Sequence, residues 1–240
     1  MGGRHGWRPV FSILGAIGVV YLCVLWWFLR SQPDDLRETR PLSLASSIRE
    51  VLRSPNFARL ATAFSILSMA NWLIYTWLPF YLVERFQLGL ASAGFSATFY
   101  LQAAGYAGIL LGGMLSDRWQ AVSARGRILM QAAGILLAAP FLFLVGFTHS
   151  MPLFILGIVT FGFGRGVYHC NTMPVLSRFV RPELRSTGYG LLNMFSCLAG
   201  GAVAVSAGFF KSSLGLAGAF EMAATFMVLA GVLLLRTGNR

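Results

Sequence analysis

Seven apolar runs, each as long as a membrane-crossing helix, constrain this chain more than any other feature. A bilayer core is about 30 Å thick, and a helix needs about 20 apolar residues to cross it. The runs are Val10 to Leu29, Phe57 to Val83, Ala93 to Leu115, Ile128 to Phe147, Leu153 to Leu176, Thr187 to Phe210 and Leu214 to Leu235. Away from the run ends, the only charged or titratable residues of note are Arg165, Glu221 and His169. Only helices or closed barrels satisfy the backbone in lipid, and a barrel would show alternating segments of about ten residues. The expected fold class is therefore an all-α membrane protein with seven transmembrane helices.

Composition agrees. Charged residues make up 11% of the chain, against about 25% in an average soluble domain. That leaves too little charge for the surface of a soluble enzyme and too much apolar residue for a disordered chain. The net charge of +11 is scattered between the runs and forms no basic face, so nucleic acid is not an expected partner. Cys23, Cys170 and Cys197 lie inside apolar runs, with neither metal nor disulfide spacing. They read as small buried hydrophobes, and no metal or cofactor is expected. The first run follows Arg4 and Arg8, but it is too long for a signal peptide and lacks a small-x-small cleavage site.

Arginine and lysine set the orientation. Arg30, Arg37, Arg40, Arg49, Arg53, Arg59, Arg118, Arg125, Arg127, Arg178, Arg181, Arg185, Arg236 and Arg240 fall on one side; Arg4, Arg8, Arg85 and Lys211 fall on the other. The positive-inside rule puts the first group, with the long 30–56 segment and the C-terminus, in the cytoplasm. The N-terminus is then outside, as expected for the tail of a longer chain. Within the long segment, Leu44, Ile48, Val51 and Leu52 have helical spacing over Ser43 to Arg53. This predicts either a short amphipathic helix on the inner membrane face or a partly ordered linker.

The polar residues inside the runs are the candidate site. Arg165 lies twelve residues into the fifth run, about 18 Å deep at 1.5 Å per residue. A charge there costs about 2.5–3.5 kcal/mol on insertion scales, and such residues face a cavity or a partner. His169 is one turn further on the same face. The pair suits either an anionic solute with proton coupling or a structural role satisfied by backbone carbonyls. Asn71 with Tyr75, Gln102 with Tyr106, and Asn193 with Ser196 are further polar groups at helical spacing. Each either lines a central cavity or bonds between helices. Glu221 reads as interfacial and Gly200-Gly201 as a packing feature.

Several stretches carry a family resemblance. The loop after the third run reads Gly112-Gly113-Met114-Leu115-Ser116-Asp117-Arg118-Trp119, followed by Arg125-Gly126-Arg127. It resembles the Gly-x-Leu-x-Asp-Arg-x-Gly-Arg-Arg signature of the major facilitator superfamily, in the copy that joins its eighth and ninth helices. Gly6-Trp7-Arg8-Pro9-Val10-Phe11 is similar to the start of the family's sixth helix. Thr76-Trp77-Leu78-Pro79-Phe80-Tyr81-Leu82 is similar to the outer end of its seventh. Arg181 to Gly190 is similar to the loop between its tenth and eleventh. The resemblance implies the sixth helix over 1–29, the central loop over 30–56 and a six-helix bundle over 57–240. On that resemblance the family's first five helices have no counterpart in these 240 residues. It also implies a cytoplasmic gate at Gly113, Asp117, Arg118, Arg125 and Arg127, although residues 119–124 separate the two halves of that pattern. Asp117 itself is expected to pair with Arg118 or to cap a neighbouring helix start.

The function so implied is that of a secondary transporter, or a fragment of one, moving a small solute, anionic or not, through a bilayer of the bacterial inner membrane by alternating access. The branch resembled carries organic anions with protons or sodium. A missing N-terminal half or a second copy would be the partner closing the pathway. A seven-helix receptor is the alternative, but the only lysine, Lys211, lies at a helix end and cannot hold a midplane Schiff base. An enzyme is not expected: no run holds paired carboxylates, His-Glu-x-x-His or Gly-x-Ser-x-Gly.

Overall fold

The computed structural model describes residues 7–30 and 43–237. It contains two compact units, Met1–Pro41 and Leu42–Arg240. In the first unit, α1 (Trp7–Leu29) covers the first apolar run. It is apolar on every face, the pattern of a helix surrounded by hydrocarbon. Much of the expected central loop, together with Arg4, Arg37, Arg40 and Arg240, lies outside the described residues.

The second unit is built from α2 (Leu44–Arg53), α3 (Pro55–Phe86), α4 (Leu90–Val122), α5 (Gly126–Phe147), α6 (Met151–Phe179), a 3-10 turn (Pro182–Leu184) and α7 (Arg185–Leu235). No strand occurs among the described residues. Among the described residues, six stretches are long and apolar enough to cross a membrane: Arg8–Leu29, Pro55–Phe86, Gly126–Phe147, Met151–Phe179, Pro182–Phe209 and Gly215–Leu235. The third expected run falls in α4, which is 33 residues long but is diluted by Gln102, Tyr106, Ser116 and Asp117-Arg118. The sixth and seventh expected runs share α7, which breaks at Gly215 (φ 67°, ψ 169°). That left-handed conformation is open to glycine and strained for residues with a Cβ.

Local chemistry places the helix starts. Ser43 caps α2, its Oγ accepting from the Ser46 amide at 3.2 Å. Ser54 caps α3, its Oγ accepting from the Phe57 amide at 3.4 Å, with Pro55 at the first helical position, where a missing N–H costs nothing. The segment from Ser43 to Arg53 is thus a helix rather than a linker. Its expected apolar stripe divides, however. Ser47 and Val51 are buried and Ile48 packs on the core, whereas Leu44 is 71% and Leu52 46% exposed.

Glycine sets the packing around α6. A Cβ on Gly108 would run into the Phe163 carbonyl, and one on Gly112 would lie 2.9 Å from the Val167 Cα. One on Gly162 would lie 2.6 Å from the Leu101 carbonyl oxygen. On the other flank, Cβ atoms on Gly134 and Gly164 would lie 2.6 and 2.5 Å from each other's carbonyl oxygens. Helices α4 and α5 therefore press their backbones directly against α6, which dispersion favours in lipid, where no hydrophobic effect drives association. A Cβ on the neighbouring Gly113 would meet nothing within 4 Å, so Gly112 makes the close contact and Gly113 does not. Gly200 packs on the Trp72 ring, and Gly201 meets nothing.

Polar bonds tie the same helices. Ser68 and Ser196 join α3 to α7 at 2.6 Å in a buried setting. Gln131 Nε2 donates to Thr172 Oγ1 at 3.3 Å between α5 and α6. At one end of the bundle, the Tyr81 hydroxyl lies 3.1 and 3.0 Å from the Val145 and Gly146 carbonyl oxygens that end α5.

The cysteines do not follow expectation. Cys23 and Cys197 are exposed on helix surfaces and Cys170 is half-buried. An apolar run signals burial in a soluble fold, but in lipid the outward face is equally apolar.

Replacing Gly108 with Val should destabilise the protein by about 1–3 kcal/mol, the usual cost of overpacking. It should lower the thermal unfolding midpoint in detergent, and Gly113→Ala should leave that midpoint unchanged or raise it.

Candidate functional site

The side chain of Arg165 enters the bundle between α6, α3 and α4 and is 8% exposed. Its Nη1 donates to Asn71 Oδ1 at 3.3 Å and to the Tyr75 hydroxyl. Its Nη2 donates to Gln102 Oε1 at 2.7 Å. The guanidinium also stands 5.8 Å from the centre of the Tyr75 ring, within cation–π range. Three side chains singled out in the sequence, from two different helices, thus converge on one buried cation. All three are neutral. Ion pairs among the described residues join Asp117 to Arg127, Glu50 and Glu183 to Arg181, and Glu84 to Lys211, and none includes Arg165. Its Nε is buried and has no hydrogen-bond partner.

Gly105 makes the arrangement possible. A Cβ there would lie 2.6 Å from Arg165 Nη2, so the glycine leaves room for the guanidinium to reach Gln102 one turn away on α4. Gln102 also lines an open groove of about 470 Å³ with Phe95, Phe99 and Tyr106. The buried cation therefore sits one side chain from an accessible surface.

His169 follows one turn after Arg165. Its ring packs edge-on against Phe64, with centres 5.8 Å apart at 83°, and against Tyr168, at 5.8 Å and 85°. It takes no part in the Arg165 hydrogen bonds. Asn193 is not brought to the cluster: its Nδ2 donates to the Tyr189 carbonyl on its own helix at 2.9 Å. Ser196 goes to Ser68, and Tyr106 is 65% exposed. Glu221 packs against Gly146 at the end of α5.

The loop residues form a second group. Asp117 accepts from the Arg127 guanidinium, so its partner is Arg127 and not Arg118, which is exposed. The intervening residues fold back to allow this. Gln120 Oε1 accepts from the Arg127 amide, and its Nε2 donates to the Ala124 carbonyl, both at 3.4 Å. Arg178 of α6 donates to the same Ala124 carbonyl. At Gly126 a Cβ would lie 2.6 Å from Trp119 C and Gln120 N, which keeps the reversal tight. Arg125 turns elsewhere: its Nη2 donates to the Leu235 and Thr237 carbonyls at 2.7 and 3.3 Å. Arg59 joins it on the Arg236 carbonyl at 3.1 Å. Cations at these unpaired carbonyls complement the negative end of α7. Sequence reasoning did not identify Gly105, Gln120 or the cap formed by Arg59 and Arg125. The Gln120 bonds depend on how the 119–124 loop folds, and the cap joins residues more than 100 positions apart.

The sequence profile of the Major Facilitator Superfamily matches residues 1–205. Among curated proteins, a "Probable galactarate/D-glucarate transporter" of Escherichia coli (strain K12) is 26% identical over 241 residues, covering 87% of this chain and 53% of that protein. A "Probable sulfoacetate transporter" of Cupriavidus necator is 25% identical over 214 residues, covering 80% of this chain and 50% of that protein. The chain spans about half the length of these relatives. Among solved structures, a bacterial homologue of the human lysosomal transporter Spinster, inward-facing and unoccupied, superposes with a TM-score of 0.63 at 21% identity. The match covers 96% of this chain and 57% of that one. The human organic anion transporter MFSD10 superposes with a TM-score of 0.60 at 21% identity, covering 80% of this chain and 46% of that one. These two likenesses concern the fold.

A Gly105→Ala protein should show the Arg165 guanidinium displaced from Gln102, or α4 moved away from α6, in a structure determined at side-chain resolution. An unmoved guanidinium on an unmoved helix would contradict the clearance role of Gly105.

Proposed function

The chain belongs to the Major Facilitator Superfamily, and from that premise we propose that it forms one wall of a solute pathway that recognises a small organic anion at Arg165. The observation that carries this reading is a buried guanidinium held by neutral acceptors, with no carboxylate partner among the described residues and an unpartnered Nε. Arginine's planar fork matches a carboxylate better than any other side chain. Its charge inside the membrane is costly unless something repays it, and an anionic solute would do so. Asn71, Tyr75 and Gln102 hold the fork in place, so little side-chain freedom remains to be lost when the anion arrives.

In this reading the solute crosses by alternating access, two halves rocking about a site near the midplane. The bundle of 57–240 supplies one half. The opposite wall comes from an N-terminal half or a second copy, and α1 stands as the sixth helix of the family. Protons or sodium drive the movement. The C-terminus lies in the cytoplasm, and a bacterial inner membrane is the setting. The Asp117–Arg127 pair serves as a cytoplasmic latch. It is half-exposed, so it contributes about 1 kcal/mol or less, weak enough to break in each cycle. A carboxylate carrier is also in keeping with the acid-sugar and sulfoacetate transporters among the relatives.

Uptake of D-glucarate into proteoliposomes that hold the chain together with the half supplying the opposite wall tests the site. Arg165→Gln should abolish uptake while membrane insertion is retained; unchanged uptake would refute the anion role. Asp117→Asn should lower kcat severalfold and leave KM nearly constant. A variant with normal turnover would rule out the latch.

A further inference from the structure

We propose that Arg165 and His169 act as one charge-linked unit: an anion arriving at Arg165 brings a proton onto His169, so that solute and proton are loaded together. This rests on the anion reading of Arg165 and assigns the coupling ion and the residue that carries it.

The argument begins with placement. His169 lies one helical turn beyond Arg165 on the same face of α6, about 6 Å along the axis at 1.5 Å per residue. Both residues belong to α6 (Met151–Phe179), four positions apart. From α3, Phe64 meets the edge of the imidazole, and Tyr168 meets it from α6. Asn71 and Tyr75 of α3 and Gln102 of α4 are committed to the guanidinium. Every acid among the described residues is accounted for elsewhere. Glu50, Glu84, Asp117 and Glu183 stand in ion pairs at helix ends, and Glu221 packs beside Gly146 at the end of α5.

Among the described residues, nothing therefore neutralises a second positive charge at this level. Two cations on one helix face, with backbone positions one turn apart and away from bulk water, repel one another. A carboxylate bound to Arg165 removes that repulsion and attracts the proton. The linkage is reciprocal: whatever the anion does for the proton, the proton does for the anion. The step balances simply. A proton from water adds to a ring nitrogen of His169 on loading, and returns to water when the anion leaves. A monocarboxylate would cross without net charge movement through this unit.

Histidine is the side chain suited to exchanging a proton between pH 5 and 8. Aspartate or glutamate at position 169 would instead pair with Arg165 permanently and compete with the solute. The aromatic packing holds the ring against Phe64 and Tyr168, and the ring takes none of the Arg165 hydrogen bonds.

Titration calorimetry of D-glucarate binding in nanodiscs, in buffers of different ionisation enthalpy, reads the coupling directly. Wild type should take up a net fraction of a proton per glucarate bound near pH 7.5. Its affinity should fall as pH rises, approaching tenfold per unit at the alkaline end. Glucarate's own carboxyls are ionised above about pH 5 and do not contribute. His169→Gln should bind glucarate with no proton uptake and a flat pH profile. Equal uptake in wild type and His169→Gln would overturn the assignment while leaving the anion site intact. Should His169→Gln fail to bind, the wild-type profile decides: a flat affinity from pH 6 to 9 overturns the coupling. Failure of wild type to bind glucarate at all overturns the anion reading and the coupling with it.

Discussion

A positive charge buried among neutral acceptors is the interaction on which this structure turns. Three helices must meet to supply Asn71, Tyr75 and Gln102 to Arg165, and the meeting requires close backbone approach. Glycine provides it on both flanks of α6, at Gly108 and Gly162 toward α4 and at the Gly134–Gly164 contact with α5. The packing and the site are thus one design. Residues without side chains bring the helices together, and the few polar side chains at that level surround the cation. Burial of this kind is poor economy for stability alone, since a charge taken out of water is repaid only by good partners. It is reasonable where a ligand completes the set.

Much of this was legible in the sequence because helical spacing and hydropathy are strong signals in a membrane chain. The apolar runs map onto helices, with the last two joined through the Gly215 break. Arg165, Asn71, Tyr75 and Gln102 were all found as polar groups in otherwise apolar segments. What spacing could not say was which way each residue turns. Asn193 looked equivalent to Gln102, yet it bonds back to its own helix. Asp117 was expected to pair with Arg118, its sequence neighbour, or to cap a neighbouring helix start. The 119–124 loop folds so that Arg127, ten residues away, takes that place. Arg125 and Arg127 share a motif, but they serve the end of α7 and Asp117 respectively. The exposed Cys23 and Cys197 show the same limit, since apolar context does not distinguish core from lipid.

The two groups of residues lie on connected elements. Helix α4 carries Gln102 toward one end and Asp117 toward the other, and α6 carries Arg165 and then Arg178, which holds the Ala124 carbonyl. A shift of α6 against α4 would be felt at both places, because backbones in direct contact transmit displacement rather than absorb it. This gives the alternating-access reading a physical route from solute site to latch, with each position joined by packing on the same pair of helices.

The most direct measurement is a structure of the protein in lipid nanodiscs with a dicarboxylate such as D-glucarate bound. The account predicts a carboxylate within hydrogen-bond distance of the Arg165 guanidinium, engaging its Nε, with Asn71, Tyr75 and Gln102 still around it. A solute bound elsewhere, with Arg165 keeping only its three neutral partners, would contradict it.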